Sequence, residues 1–262
     1  MPRGMRATVW ALAVLVCAPA SFSALPQGGA ERRYSLPAKE TLNYLIEWRL
    51  ITAGRAQLDW DSARFNARQG WQTTLHLEST GLVSKLFRVS DTYNSRLRPD
   101  LCAVSSRISA QEGRRHRETE VEFDAEEGKA RYHERDMVNN SVVASHEIPI
   151  PECVHDMVGG LFKLRTLQLE PGQSAQIPMS DGKKSVMARV EAQQRERIST
   201  PAGTFQTIRY EAFVFKDVLY RRDANLYVWV TDDARRLPVQ IRVRMQFTIG
   251  TITFQLEKEG QA

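Results

Sequence analysis

The sequence is short of the residue types from which most catalytic and metal centres are assembled. Its 262 residues include three cysteines and five histidines. No CxxC and no paired-histidine spacing accompanies the cysteines, which argues against a zinc site. Low-complexity stretches, internal repeats and long linkers are absent as well, so disordered, collagen-like and solenoid classes fall away. The excess of positive charge is small: 36 basic against 31 acidic residues, mixed along the chain. A nucleic-acid surface needs a clustered basic face, so no nucleic-acid partner is expected. Long apolar runs are scarce too, and the best of them is short for a membrane anchor. This stretch, Ala7 to Ala18, would span about 18 Å of a hydrocarbon core of about 30 Å.

That stretch has another reading. Residues 1–23, MPRGMRATVWALAVLVCAPASFS, carry Arg3 and Arg6 before the apolar run and small residues, Ser21 and Ser23, before Ala24. This is the pattern of a cleaved secretory signal peptide. Export to the periplasm is therefore expected, with a flexible mature N-terminus over 24–39 and a single β-rich domain over 40–258. Cleavage would leave 34 basic and 31 acidic residues. Two alternatives stay open: an uncleaved membrane tether, and lipidation at Cys17. Against the second, the bulky Val16 precedes that cysteine where Gly, Ala or Ser normally stands.

Once the signal is removed, Cys102 and Cys153 are the only thiols of an exported chain. Each stands near a proline and an acid, in Pro99-Asp100-Leu101-Cys102 and Pro151-Glu152-Cys153. In an oxidising compartment they read as one disulfide joining two loop or strand ends.

Period two dominates the rest of the chain. From Leu237 to Ile249 every odd position is apolar, and Gln240, Arg242, Arg244, Gln246 and Thr248 are expected to face water. Gly250 then shifts the phase to Ile252, Phe254 and Leu256. Alternation recurs at Leu42, Tyr44, Ile46, Trp48 and Leu50, and at Ala56, Leu58 and Trp60. Leu226 to Val230 is apolar on both faces, as a strand covered on both sides would be. Turn signals separate the runs at Thr52-Ala-Gly54, Glu126-Glu-Gly128, Ser180-Asp-Gly182, Pro201-Ala-Gly203 and Thr231-Asp-Asp233. The expected fold is all-β: a large curved antiparallel sheet, barrel-like or sandwich. One short helix is expected near 154–166, where Val158, Leu161, Phe162 and Arg165 fall at helical spacing.

Pro201-Ala-Gly-Thr-Phe205 and its following strand, Leu226-Tyr-Val-Trp229, Asp232-Asp233 and Leu237-Pro-Val239 resemble a family of uncharacterised bacterial envelope proteins. Gly54 and the helix before Arg165 also fit it. The family is known only as a domain of unknown function, of the DUF3108 kind, and the resemblance covers about residues 40 to 258. It implies an exported β-rich domain and brings no catalytic residues and no cofactor.

The residues themselves offer few sites. Cys153-Val-His155-Asp156 gathers a thiol, an imidazole and a carboxylate, but neighbours in sequence usually point apart. A bridged Cys153 is no nucleophile, so Asp156 reads as a helix-start residue and His155 as a surface or capping group. His76, His116, His133 and His146 are isolated, although His116 and His133 fit one sheet face. Trp229 beside Asp232 and Asp233 has the make-up of a sugar platform, but adjacent acids after a strand more often make a solvated turn. Arg114, Arg115 and Arg117 form a candidate anion patch, followed at once by Glu118, Glu120 and Glu122. The segment 112–136 reads as charged on both faces, and the chain does not end on the aromatic usual in outer-membrane barrels. No integral membrane protein is therefore expected.

Two function classes remain. One is a non-catalytic binding module for a lipid or other hydrophobic or amphipathic envelope ligand. The other is a structural or assembly factor holding another envelope protein by a sheet edge or the basic strand. A hydrolase built on His155 and Asp156 is a distant third.

Overall fold

A computed structural model describes residues 36–65, 68–245 and 250–260. The signal-peptide reading of 1–23, most of the 24–39 segment and strand positions 246–249 lie outside the described residues. Eight strands come first: β1 (Lys39–Trp48), β2 (Ile51–Phe65), β3 (Arg68–Ser79), β4 (Val89–Leu97), β5 (Ala103–Glu112), β6 (Arg115–Asp124), β7 (Lys129–Asp136) and β8 (Ser141–Pro149). A short helix, α1 (Gly81–Leu86), joins β3 to β4, and α2 (Met157–Thr166) follows β8. Six strands complete the chain: β9 (Ser174–Ser180), β10 (Ser185–Thr200), β11 (Gly203–Phe213), β12 (Ala224–Thr231), β13 (Pro238–Met245) and β14 (Thr251–Gly260).

All of these strands join one antiparallel sheet in the order β8-β7-β6-β5-β4-β3-β2-β1-β14-β13-β12-β11-β10-β9. Two meanders thus meet where β1 pairs with β14, and the sheet stays open between β8 and β9. Short turns make this order cheap to reach, because each strand finds its partner next in sequence. The sheet curls until the β9–β10 turn reaches β6 and β7: a Cβ on Gly182 would lie 2.6 Å from Val121 Cγ1. The segment before α2 bridges part of the gap. The Ala103 amide donates to the Val154 carbonyl at 2.8 Å, and the Ser180 amide to the His155 carbonyl at 3.0 Å.

The inner face holds two apolar clusters. One unites Leu42, Leu58, Trp60, Val121 and Phe123 with Val158 and Phe162 of α2. The other gathers Ile177, Val190, Ile208 and Val228 around Leu164. Burying the two sides of α2 in both clusters places the helix against the concave side of the sheet, where Trp60 stacks on Phe162 at 4.0 Å and on Trp71 at 4.4 Å.

Several expectations need correction. The first turn lies at Arg49-Leu50, not Thr52-Ala-Gly54, so Leu50 is 92% exposed rather than part of a strand. Register explains the difference: Leu42 must face Leu58 and Tyr44 must face Ala56 to share the core. Gly54 sits within β2, where a Cβ would collide with the Glu78 carbonyl of β3. Gln240 is buried, not solvent-facing, since β13 is covered on both faces at that point. Segment 112–136 is not charged on both faces either: Val121, Phe123, Ala130 and Tyr132 are buried on its inner side. Helix α1 has no counterpart in the sequence expectations, because its six residues are too few for a periodic signal and none is buried. The phase shift at Gly250 and the doubly covered strand β12 match the sequence pattern.

Candidate functional site

Antiparallel register carries one row of side chains across eight strands of the inner face: Glu40, Trp60, Thr73, Ser95, Ser106, Val121, Tyr132 and His146. Helix α2 follows the first half of this row. Arg165 pairs with Glu40, Phe162 stacks on Trp60, and Asp156 meets Ser95. Thr73, Ser95 and Ser106 are small, where the rest of the row is mostly large. Small residues let the helix approach, and beyond Ser95, where the helix starts, they leave space.

Both ends of α2 are fixed by side-chain chemistry. At its C-terminal end the buried Arg165 donates from Nε to the Arg236 carbonyl at 3.0 Å, and Arg236 Nε donates to the Arg165 carbonyl at 3.2 Å. Arg236 also reaches the Tyr210 hydroxyl at 2.8 Å. At the start, Asp156 is the N-cap and its side chain accepts from the Gly159 amide at 2.6 Å. Ser, Thr, Asn and Asp caps of this kind satisfy an amide that the helix cannot. Gly159 and Gly160 weaken a helix in isolation, but here they permit packing. A Cβ on Gly159 would stand 3.1 Å from Leu97 Cδ2, and one on Gly160 2.7 Å from Met179 Cε.

Asp156 is the most unusual group on this face. The residue is 6% exposed, and its Oδ2 makes no hydrogen bond of good geometry among the described residues. Burial pushes its carboxyl pKa up, against the nearby Ser95 hydroxyl and the Gly159 and Val158 amides, which favour the charged form. It lines a cleft of about 380 Å³ between β4–β7 on one side and the start of α2, the β9–β10 turn and the 215–220 loop on the other. Tyr93, Ile108, Val121, Tyr132, Phe215 and Tyr220 supply its apolar wall; Ser95, Ser106, Thr119, Asp181, Lys183 and Arg107 supply polar groups. Burial raises the phenol of Tyr93 to about 12 and that of Tyr220 also upward, so both rings stay neutral donors. Lys183 stands over the Tyr132 ring at 4.4 Å. An adjoining hollow of about 390 Å³ shares Asn94, Ser95, Ser106, Arg107 and Val121 and runs on to Gln72 and Glu122. Such a lining can take an apolar body against the tyrosines and a polar group at Ser106, Thr119, Asp181 or Lys183.

The residues singled out in the sequence are distributed as follows. Cys102 and Cys153 form a disulfide with Cα atoms 5.1 Å apart, fastening the β4–β5 turn to the segment before α2. Asp100 lies beside them, but sulfurs joined to each other are poor metal ligands. His155 is not the surface group expected: it is 1% exposed, its Nδ1 lies 2.8 Å from the Leu101 carbonyl, and burial lowers its pKa. The hydrolase set therefore does not converge, since Asp156 faces the cleft and Cys153 is bridged. His116 and His133 share a sheet face but are four positions apart along it, about 13 Å. Trp229 is buried and donates to Glu196 at 2.8 Å, while Asp233 accepts from Thr231, so no open sugar platform forms. Arg114 and Arg115 lie exposed at the β5–β6 turn; Arg117 points instead to Glu134 and Asp136, at 3.5 and 3.3 Å. Sequence reasoning missed Ser95, Ser106, Tyr93, Tyr132 and Tyr220. For the four in strands the one signal is a small or hydroxylated residue at inner-face positions that otherwise alternate apolar and polar; Tyr220, in the β11–β12 connection, has none.

An open antiparallel sheet curled about one inner helix is a β-barrel-like architecture. The solved β-barrel-like protein of domain of unknown function DUF1849 from Brucella abortus is similar in fold, with a TM-score of 0.53, 7% identity, and 86% of this chain and 98% of that one covered. The chain belongs to the family described as protein of unknown function (DUF3108), whose model matches residues 43–257. More distantly similar are a protein of YmcC-like fold from Bacteroides fragilis (TM-score 0.37, 10% identity, 87% and 98% covered) and a DUF1089 family protein from Pseudomonas aeruginosa (0.34, 13%, 73% and 90%). No curated protein matches the chain. Among the described residues no helix is long and apolar enough to cross a membrane.

Proposed function

We propose that the chain is an exported envelope protein, delivered to the periplasm by cleavage after residue 23, and that residues 40–258 act as a non-catalytic binding module for an amphipathic ligand. The carrying observation is the cleft at the start of α2, where an aromatic wall of Tyr93, Tyr132, Phe215 and Tyr220 adjoins the polar side chains of Ser106, Thr119, Asp181 and Lys183. A ligand with an apolar body and a hydroxyl or ammonium group suits both. Ser106 lies at its floor, so Ser106→Trp fills the space without removing a core contact. Wild-type protein should retain a small molecule through mild purification, seen by native mass spectrometry, and Ser106→Trp should lose it at unchanged melting temperature. Apo protein in both samples, with no shift of the cleft tyrosines on lipid titration, contradicts the reading.

A second reading, an assembly factor, draws on β8. This strand is an open edge of nine residues, largely exposed, and carries Val142 and Val143 at 61% and 44% exposure. Edges of that length usually carry protective lysine or proline, and β8 has proline only at its last position. Crosslinking from position 143 in cells should then recover one dominant protein.

A further inference from the structure

Large exposed hydrophobic side chains are concentrated at one end of the sheet. Because the strands alternate in direction, the β1–β2 turn, α1, the β5–β6 turn and the β7–β8 turn all fall at that end. Leu50 is 92% exposed, Leu82 66%, Leu86 76%, Phe87 52% and Val138 64%. They form one surface, since direct contacts link the turns that carry them. The Thr80 amide donates to the Ala53 carbonyl at 2.9 Å, Gly113 donates to Arg88 at 2.7 Å and lies against the Phe87 ring, and Met137 donates to His116 at 2.9 Å. Scattered single hydrophobes need no explanation; a contiguous set usually marks an interaction site.

Backbone geometry sharpens the point. Leu50 has φ of +69°, a conformation in which glycine or asparagine is at ease and leucine is not. Its side chain touches little of the fold, so no packing within the chain repays that choice. Helix α1 likewise buries none of its residues.

Cations lie among these tips. Lys85, Arg88, Arg114 and Arg115 are exposed there. Lys85, Arg88 and Arg114 form no ion pair among the described residues, and Arg115 faces Glu112 only at 4.0 Å. Leucine and phenylalanine at the tips of separate turns, interspersed with lysine and arginine, suit a flat, deformable apolar slab with an anionic surface better than a shaped protein groove. We propose that this end of the sheet docks on an anionic phospholipid bilayer, with Leu50, Leu82, Leu86 and Phe87 entering the headgroup boundary and Lys85, Arg88 and Arg114 contacting phosphates. The docking is independent of the cleft. The 215–220 loop that walls the cleft connects β11 to β12 at this same end, so docking would bring the cleft mouth towards the lipid.

The test is flotation of the processed protein with vesicles of phosphatidylcholine, with and without phosphatidylglycerol, together with Phe87→Trp fluorescence under quenching by bromine-labelled acyl chains. Wild type should float with the anionic vesicles and be released by salt. A Leu82→Ser/Leu86→Ser/Phe87→Ser variant and a Lys85→Glu/Arg88→Glu/Arg114→Glu variant should each lose binding about tenfold or more. These residues are exposed, so both variants should melt as wild type does. The indole introduced by Phe87→Trp should be quenched only with anionic vesicles, a readout that holds even if the N-terminus is itself an anchor. Ser106→Trp should float like wild type, which separates failure of the cleft reading from failure of this one. Absence of quenching in the Phe87→Trp protein, equal flotation of all variants, or crosslinking from position 86 to a single protein without lipid contact would overturn the proposal.

Discussion

Two buried charges decide most of what single residues do on the inner face. Arg165 is fully buried, and its guanidinium serves Glu40 of β1 and the carbonyls of Arg235 and Arg236 at once. Arg165→Met leaves Glu40 without its partner in a poorly solvated place, which should cost about 3–5 kcal/mol. Adding Glu40→Leu should recover part of that loss, as read by urea denaturation midpoints. Asp91 has the opposite character. Burial lifts its carboxyl pKa from 3.8 to about 6, although it accepts a hydrogen bond from the Gln111 amide at 2.9 Å. A folded-state pKa above the unfolded one means that the native form binds the proton more tightly. Its contribution is thus fully present below pH 3.8 and is lost as pH rises towards about 6. Asp91→Asn keeps the acceptor oxygen, and it should stabilise the protein at neutral pH by about 1–2 kcal/mol. The same variant should flatten the melting temperature across that pH window; an unchanged slope would assign it to other groups.

At the level of elements, the disulfide and α2 act together to span the open side of the sheet. Cys102 and Cys153 are 51 positions apart, and closing such a loop is worth about 4 kcal/mol in the chain-entropy account. Replacing both by alanine should lower stability by up to that amount and hasten hydrogen exchange of the Ala103, His155 and Ser180 amides, whose hydrogen bonds tie β5 to β9 through Val154 and His155. Phe162→Ala should cost about 3–5 kcal/mol by opening a cavity beside Trp60. Much of this layer is legible in the chain. Alternation at Leu226–Val230 and after Gly250 marks strands, turn residues at Glu126-Glu-Gly128 and Pro201-Ala-Gly203 mark their ends, and Asp156 with Val158 and Phe162 marks the helix. The first hairpin is misplaced by the local pattern because Gly54 looks like a turn residue when its task is to let β3 come close. Gln240 and His155 escape a sequence reading because their burial depends on strands and segments distant in sequence, which local alternation does not register.

On the scale of the whole described unit, the sheet's inner row explains why there is a cleft at all. Small side chains at Thr73, Ser95 and Ser106 cross three neighbouring strands, and α2 occupies only the part of that groove from Glu40 to Ser95. No single strand displays this, because the row exists only after register brings the strands together; hence sequence reading finds the fold but not the site. We propose that the uncovered part is a ligand site. That proposal is tested most directly by native mass spectrometry of the protein taken from its own cellular compartment, comparing wild type with Ser106→Trp. A bound mass in the wild type that disappears in Ser106→Trp, with equal melting temperatures, is the predicted result. The same bound mass in both proteins, or none in either together with no perturbation of Tyr93, Tyr132 and Tyr220 on lipid titration, would contradict it.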